Sequence, residues 1–216
     1  MTEAKALELL REAAEWRLIG LLLACPQGDW QTQVAALAAE VHDEQLTAAA
    51  AAARQEAGEG LYHTTFGPGG PAAPREISHR EYLVPGPSLS ELSACYEAFA
   101  YRPATDEPPD HVAVEADFIA YLRLKEAYAV ARDDDDQTAV TAEAARRFVE
   151  DHLSSIAEPL ALSLAASGIS YLRLTAAALL HRVGPPRHVV PAASPIPAFL
   201  DETCLSGCAS AEELES

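Results

Sequence analysis

Apolar residues recur along this chain at helical intervals, in segments punctuated by Pro and Gly. Leu7, Leu10, Ala14, Leu18, Leu21, Leu22 and Cys25 keep that spacing and predict a first helix over residues 3–25. Trp16, Ile19 and Leu23 fall on another face, so its C-terminal half is expected to be buried nearly all round. Pro26 and Gly28 should end it. Residues 31–56 are Ala-rich, with a thin stripe of Val34, Leu37, Val41 and Leu46. Propensity more than pattern predicts two helices there, or one broken helix.

Residues 58–88 change character, because Gly and Pro interrupt them repeatedly, and only two ordered pieces are predicted, near 60–66 and 76–84. A long irregular stretch inside a compact domain is usually functional or disordered. Ser88-Leu89-Ser90-Glu91 reads as a capping box opening a helix with Leu92, Cys95, Tyr96 and Phe99 on one face. That helix should stop before Pro103. A double-proline turn follows, then a long helix whose predicted core stripe is Val114, Phe118, Tyr121, Leu122, Tyr128 and Ala129, with Lys125 snorkelling. Asp133-Asp134-Asp135-Asp136 reads as a solvated loop. A helix over 138–153 should bury Val140, Ala144, Phe148, Val149 and Leu153, with His152 beside them as a hydrogen-bonded core residue. Glu158-Pro159 should start another helix capped by Gly168, and Ser170 should cap the last one, which ends at Gly184-Pro185-Pro186.

No segment alternates long enough for a sheet. The expected fold is therefore all-α: a multi-helix, single-core bundle over residues 1–186, with N-terminal helices in 1–56, an irregular segment at 58–88 and C-terminal helices in 89–186. The interior of the irregular segment and the turn 103–111 are expected to lie near each other. A Pro-rich, then acidic tail occupies 187–216. Monomer and dimer are both compatible with two helical groups joined by a long loop.

The formal net charge of −18 excludes a phosphate-tracking surface and favours cationic partners. The first fifteen residues lack the basic stretch of a secretory signal, and Leu18–Cys25 is too short to span a bilayer, so a cytoplasmic protein with free thiols is expected. No phosphate loop or nucleophile turn is present. Cys204 and Cys208, with His188 as a distant third, fall short of a zinc site. Glu76-x-x-His79 has di-iron spacing but occurs once. No cofactor is expected.

The chemistry concentrates in Tyr101 to His111, where Glu107, Pro108, Pro109, Asp110 and His111 lead into the long helix. Proline is tolerated where a helix begins, and acids there suit its free N–H groups and dipole. Spacing alone makes Asp110 a helix cap. The order Glu-Pro-Pro-Asp-His followed by Val-Ala-Val-Glu-Ala-Asp-Phe-Ile also resembles the signature of the TorD/DmsD family, the cytoplasmic maturation chaperones of molybdenum-containing reductases and dehydrogenases. Leu61-Tyr62-His63-Thr64-Thr65-Phe66-Gly67-Pro68-Gly69 and Arg147-Phe148-Val149-Glu150-Asp151-His152-Leu153 resemble its flanking segments. Ala116, Ile119 and Ile156 depart from its commoner residues, all as apolar exchanges.

The resemblance implies a chaperone that binds the twin-arginine signal peptide and apo form of a molybdenum enzyme's catalytic subunit. It would aid cofactor insertion and delay export until then, and the Asp110–His111 pair is implicated in leader binding. A guanidinium fork suits a carboxylate, which makes Asp110 the candidate partner, with Glu107 and Asp106 behind it and Pro109 stiffening the turn. Tyr62 and Phe66, one helical turn apart, are candidates to line an apolar groove or to sit in the core. Asp110→Asn is expected to weaken leader binding at little cost in stability. The residues alone also admit a helical enzyme or ligand-binding bundle using Asp110 and His111 as an acid–base pair, or an acidic adaptor for another basic partner.

Overall fold

The computed structural model describes residues 2–80 and 85–184. The tail, with Cys204, Cys208 and His188, and the last part of the ordered piece expected at 76–84 lie outside them. The described residues form helices joined by turns, with a single isolated bridge between Arg75 and His111 and no strand. The elements are α1 (Thr2–Leu23), α2 (Trp30–Glu40), α3 (Glu44–Glu56), α4 (Glu59–Phe66), a 3₁₀ turn (Glu76–His79), α5 (Pro85–Ala98), α6 (Val112–Ala131), α7 (Asp135–Phe148), α8 (Ser154–Ala166) and α9 (Ser170–Val183). The all-α expectation holds.

α1 and α6 form the central pair, each packing more extensively on the other than on anything else. Their seam closes at Gly20, where a Cβ would come within 3.0 Å of the Ala113 carbonyl oxygen. The second half of α1 is buried all round, as expected: Trp16, Leu18, Ile19, Leu22 and Leu23 join Phe118, Ile119, Leu122, Leu160, Tyr171 and Leu172 in one core. Ala6, Leu9, Ala127 and Val130 extend the seam.

Several stripes are displaced from their predicted positions. Leu7 and Leu10 are exposed, and Ala6, Leu9 and Ala13 face inward instead. Tyr128 is 63% exposed and Val140 52% exposed, while Ala127, Thr141 and Ala145 are buried. At Ala6, Ala127 and Thr141 a smaller neighbour takes the seam, which lets the helix axes approach closely and leaves the larger side chain outside. Lys125 does snorkel, donating from Nζ to the Phe99 carbonyl at 3.1 Å.

Four helix starts differ from expectation. α5 begins at Pro85, so Ser88 lies inside it and the capping box does not form. α7 starts at Asp135 with the Asp134 carboxylate accepting from the Gln137 N–H at 3.0 Å, so the acidic run serves a helix start, where the dipole favours it. α8 starts at Ser154 and contains Pro159, because a π-turn at Val149–Leu153 carries the backbone from α7 into α8 without leaving helical angles. The α9 cap comes from Glu56 of α3, whose carboxylate accepts from the Tyr171 N–H at 3.1 Å, rather than from Ser170. Gly168, at φ +75°, does terminate α8.

Candidate functional site

The turn before α6 is held by backbone bonds first. The His111 N–H donates to the Pro108 carbonyl at 3.0 Å, and the Glu107 N–H donates to Thr105 Oγ1 at 3.3 Å. Tyr96 of α5 donates its hydroxyl to the Pro109 carbonyl at 2.8 Å. From the other side, the irregular segment docks as a short extended piece: the Glu76 N–H donates to the Asp110 carbonyl at 2.8 Å and the Val112 N–H to the Pro74 carbonyl at 2.9 Å. The proximity expected between segment 58–88 and turn 103–111 is therefore met by main-chain bonds.

Asp110 is buried, and its carboxylate is already engaged. Arg75 approaches with Nε at 2.9 and 3.2 Å from its two oxygens and a terminal nitrogen at 2.8 Å from one. Arg75 itself is 38% exposed. A guanidinium fork does meet Asp110, but it belongs to the same chain.

His111, not Asp110, caps α6. Its Nδ1 accepts from the Ala113 N–H at 3.1 Å. That bond needs a lone pair on Nδ1, which assigns the proton of the neutral ring to Nε2. Nε2 lies 3.1 Å from the Tyr62 hydroxyl oxygen, and Tyr62 in turn donates to Glu107 Oε1 at 2.7 Å. The chain of bonds thus runs from the helix N-terminus through His111 and Tyr62 to Glu107, each donor polarised by the next. Burial pushes the His111 pKa down to about 4, with Arg75 adding to it, against opposing pulls from Glu107 and Asp110. Burial, then Glu107, keeps the Tyr62 phenol protonated well above its ordinary range. Tyr62 and Phe66 are both buried, with ring centroids 5.2 Å apart, so they support the turn from beneath.

Behind the turn lies a second polar group. Glu76 is buried, faces His152 Nδ1 at 3.1 Å and pairs with Arg80. Glu115, one helical turn after His111, is fully buried, and among the described residues no N–H or O–H donor reaches its oxygens. Burial first, then the neighbouring Glu76 and Asp110, raise its pKa well above the carboxylate range, and Arg80 opposes them. A protonated Glu115 donating to Glu76 satisfies both acids.

The turn forms one lip of an open cleft of about 570 Å³. Gly20 and Leu21 of α1, Ala24 just beyond it, Trp30 of α2 and Val114 of α6 make the apolar part of its floor, beside polar Gln27, Asp29, Gln33 and His63. Asp106 and Glu107 stand on the lip, and Arg17 and Asp117 form an ion pair in the wall. Of the predicted residues, Glu107 and Asp106 reach this cleft. Asp110, His111, Tyr62 and Phe66 lie in the layer supporting it, and Pro109 links that layer to α5. Sequence reasoning missed Arg75, Arg17 and Asp117, which sit in unremarkable surroundings. Glu115 carries a signal in the sequence, since it is an acid amid Val112, Val114, Ala116 and Ile119.

Among the described residues no cluster of His, Cys, Asp and Glu is arranged to hold a metal ion, and no helix is long and apolar enough to cross a membrane. A comparison with curated proteins found no match. A comparison with protein families matches residues 29–161, well over half of the chain, to the nitrate reductase delta subunit family. That span holds the turn, the buried His111–Tyr62–Glu107 chain and the whole of α6, so the chain belongs to the nitrate reductase delta subunit family, whose NarJ/TorD-type members are maturation chaperones of molybdenum enzymes and not catalysts.

Proposed function

We propose that this chaperone acts in the cytoplasm on the apo form of a molybdenum enzyme's catalytic subunit by holding its twin-arginine leader in the cleft beside the turn 103–111. The observation carrying this reading is an apolar floor bounded by a lip that bears Asp106 and Glu107. A leader of two arginines followed by an apolar stretch matches both parts: guanidinium on carboxylate, and apolar side chains on Leu21, Ala24, Trp30 and Val114. Glu107 is the member of the predicted motif that offers a carboxylate to the cleft. Tyr62 and His111 orient it, and Asp110, Pro109 and Phe66 hold the turn that presents it.

Micromolar binding needs about −8 kcal/mol, which a few apolar anchors and one or two charge-assisted bonds supply after ordering costs. Retention of the leader until the cofactor is in place then delays export by occupancy alone, without a covalent step. The test is titration of the full chain with a leader peptide and with its two-lysine version. The two-arginine peptide is expected to bind about tenfold more tightly, because lysine cannot make the paired bonds. Equal affinity for both peptides removes the basis for this reading.

A further inference from the structure

Asp117 is a further carboxylate on the same cleft, beside Asp29, Asp106 and Glu107, and lies one helical turn beyond Ala113 and Val114 on α6. It is not a spare surface acid. Its side chain is 20% exposed, it accepts the Tyr101 hydroxyl at 2.9 Å, and it holds the guanidinium of Arg17 from α1. Arg17, 36% exposed, lines the cleft with it. The free protein therefore already shows a guanidinium seated on a cleft carboxylate.

Glu107 and Asp117 both line the cleft, Glu107 from the turn five residues before α6 and Asp117, paired with Arg17, from the second turn of α6. Adjacent residues of an extended peptide point to opposite sides. Two neighbouring arginines, each reaching several ångströms from its own Cα, can therefore address two different carboxylates of one cleft.

Resting on the leader-binding reading above, we infer that Asp117 reads the second arginine of the bound peptide, and that Arg17 is a resident stand-in which the peptide's arginine displaces. Arg17 is the more exposed member of the pair, so on displacement its charge passes to water while the peptide's guanidinium takes over the bond to Asp117, one charge-assisted pair replacing another. The arrangement also explains why a cleft of such acidity does not present Asp117 bare to any cation. A ligand with a single positive charge meets an occupied site, and a paired guanidinium anchored at Glu107 gains the local concentration to compete with Arg17.

The test uses the full chain and synthetic leader peptides carrying Arg-Arg, Arg-Gln and Gln-Arg. Asp117→Asn keeps an oxygen for Tyr101 and should fold. It is expected to weaken Arg-Arg binding about tenfold and to make that peptide bind no better than the better of the two single-arginine peptides. Arg17→Ala, by removing the competitor, is expected to tighten Arg-Arg binding severalfold. A structural role for the pair predicts the reverse for Arg17→Ala, since loosening α1 against α6 weakens every peptide alike. Unchanged or weaker binding by Arg17→Ala, or wild-type discrimination retained by Asp117→Asn, overturns the inference. If the wild-type chain binds none of the peptides, or binds two lysines as well as two arginines, the leader-binding reading itself fails.

Discussion

His111 Nε2 lies 3.1 Å from the hydroxyl oxygen of Tyr62, and that contact joins the start of α6 to α4 across 49 residues of chain. Tyr62→Phe removes the hydroxyl and leaves two groups without partners, the buried Nε2–H and the inner oxygen of Glu107. The expected loss is about 1–3 kcal/mol, because a stranded buried donor costs its desolvation. In a chain of this length that is roughly 2–4 °C of Tm per kcal/mol. Leader affinity should fall too, since Glu107 loses the bond that fixes its rotamer. Thermal melts and peptide titration check the two effects separately, and an unchanged melt would mean that the hydroxyl bonds are not formed.

The same histidine sets an acid limit. Its pKa is about 4 when folded against 6.5 when free. Between those values the unfolded chain binds a proton that the folded chain does not, so stability falls as pH drops through the window and stops changing below it. The full loss is on the order of 3 kcal/mol. His111→Asn keeps a capping oxygen but cannot titrate there. Urea unfolding from pH 7.5 to 4 should show the wild type's advantage over His111→Asn shrinking steadily, whereas a constant gap would show that His111 does not carry the effect.

Glu115 works in the opposite direction. Its folded pKa is raised above 4.5, so the folded chain holds a proton that the unfolded chain has lost, and stability declines as pH rises above that value. Glu115→Gln mimics the protonated acid permanently and its amide can still donate to Glu76. The variant is expected to match the wild type near pH 5 and to exceed it increasingly towards pH 8.5. A variant less stable than wild type at pH 8.5 would show that Glu115 is ionised and paired.

Much of this was legible in the sequence. Proline, glycine and apolar spacing located α1, α4 and α6, and the turn before α6 was found from Pro108, Pro109 and the acids around them. His152 was expected to be hydrogen-bonded in the core, and it faces Glu76. What spacing could not show was which stripe wins when two are nearly equivalent. The Ala-rich helices offered both Leu7/Leu10 and Ala6/Leu9, and close packing chose the smaller set. Nor could it show partners far apart in sequence. The bond of Arg75 to Asp110 spans 35 residues, the cap of α9 comes from Glu56, 115 residues before Tyr171, and the pairing of Arg17 with Asp117 joins two helices. Asp and His at a helix start each suit a cap, and only burial and donor geometry assign the cap to His111.

That assignment changes what Asp110→Asn should do. As an exposed acid, Asp110 would have tolerated the exchange with little loss of stability. Buried and clasped by Arg75, it should show a measurable cost. Removing the charge leaves a half-exposed arginine that water can solvate, and the amide oxygen still accepts one bond, so the cost should be about 1–2 kcal/mol. Arg75→Ala should cost more, about 2–3 kcal/mol, because among the described residues it leaves a carboxylate out of water with the distant Ile77 N–H, at 3.4 Å, as its remaining donor. The double variant should be less harmed than the sum of the two, since neutral partners leave no stranded charge. The order of the two single costs is the decisive measurement. If Asp110→Asn is the more damaging change, the carboxylate has favourable contacts beyond Arg75, and if both are silent in urea unfolding, the pair is open to solvent and free to receive an arginine from outside.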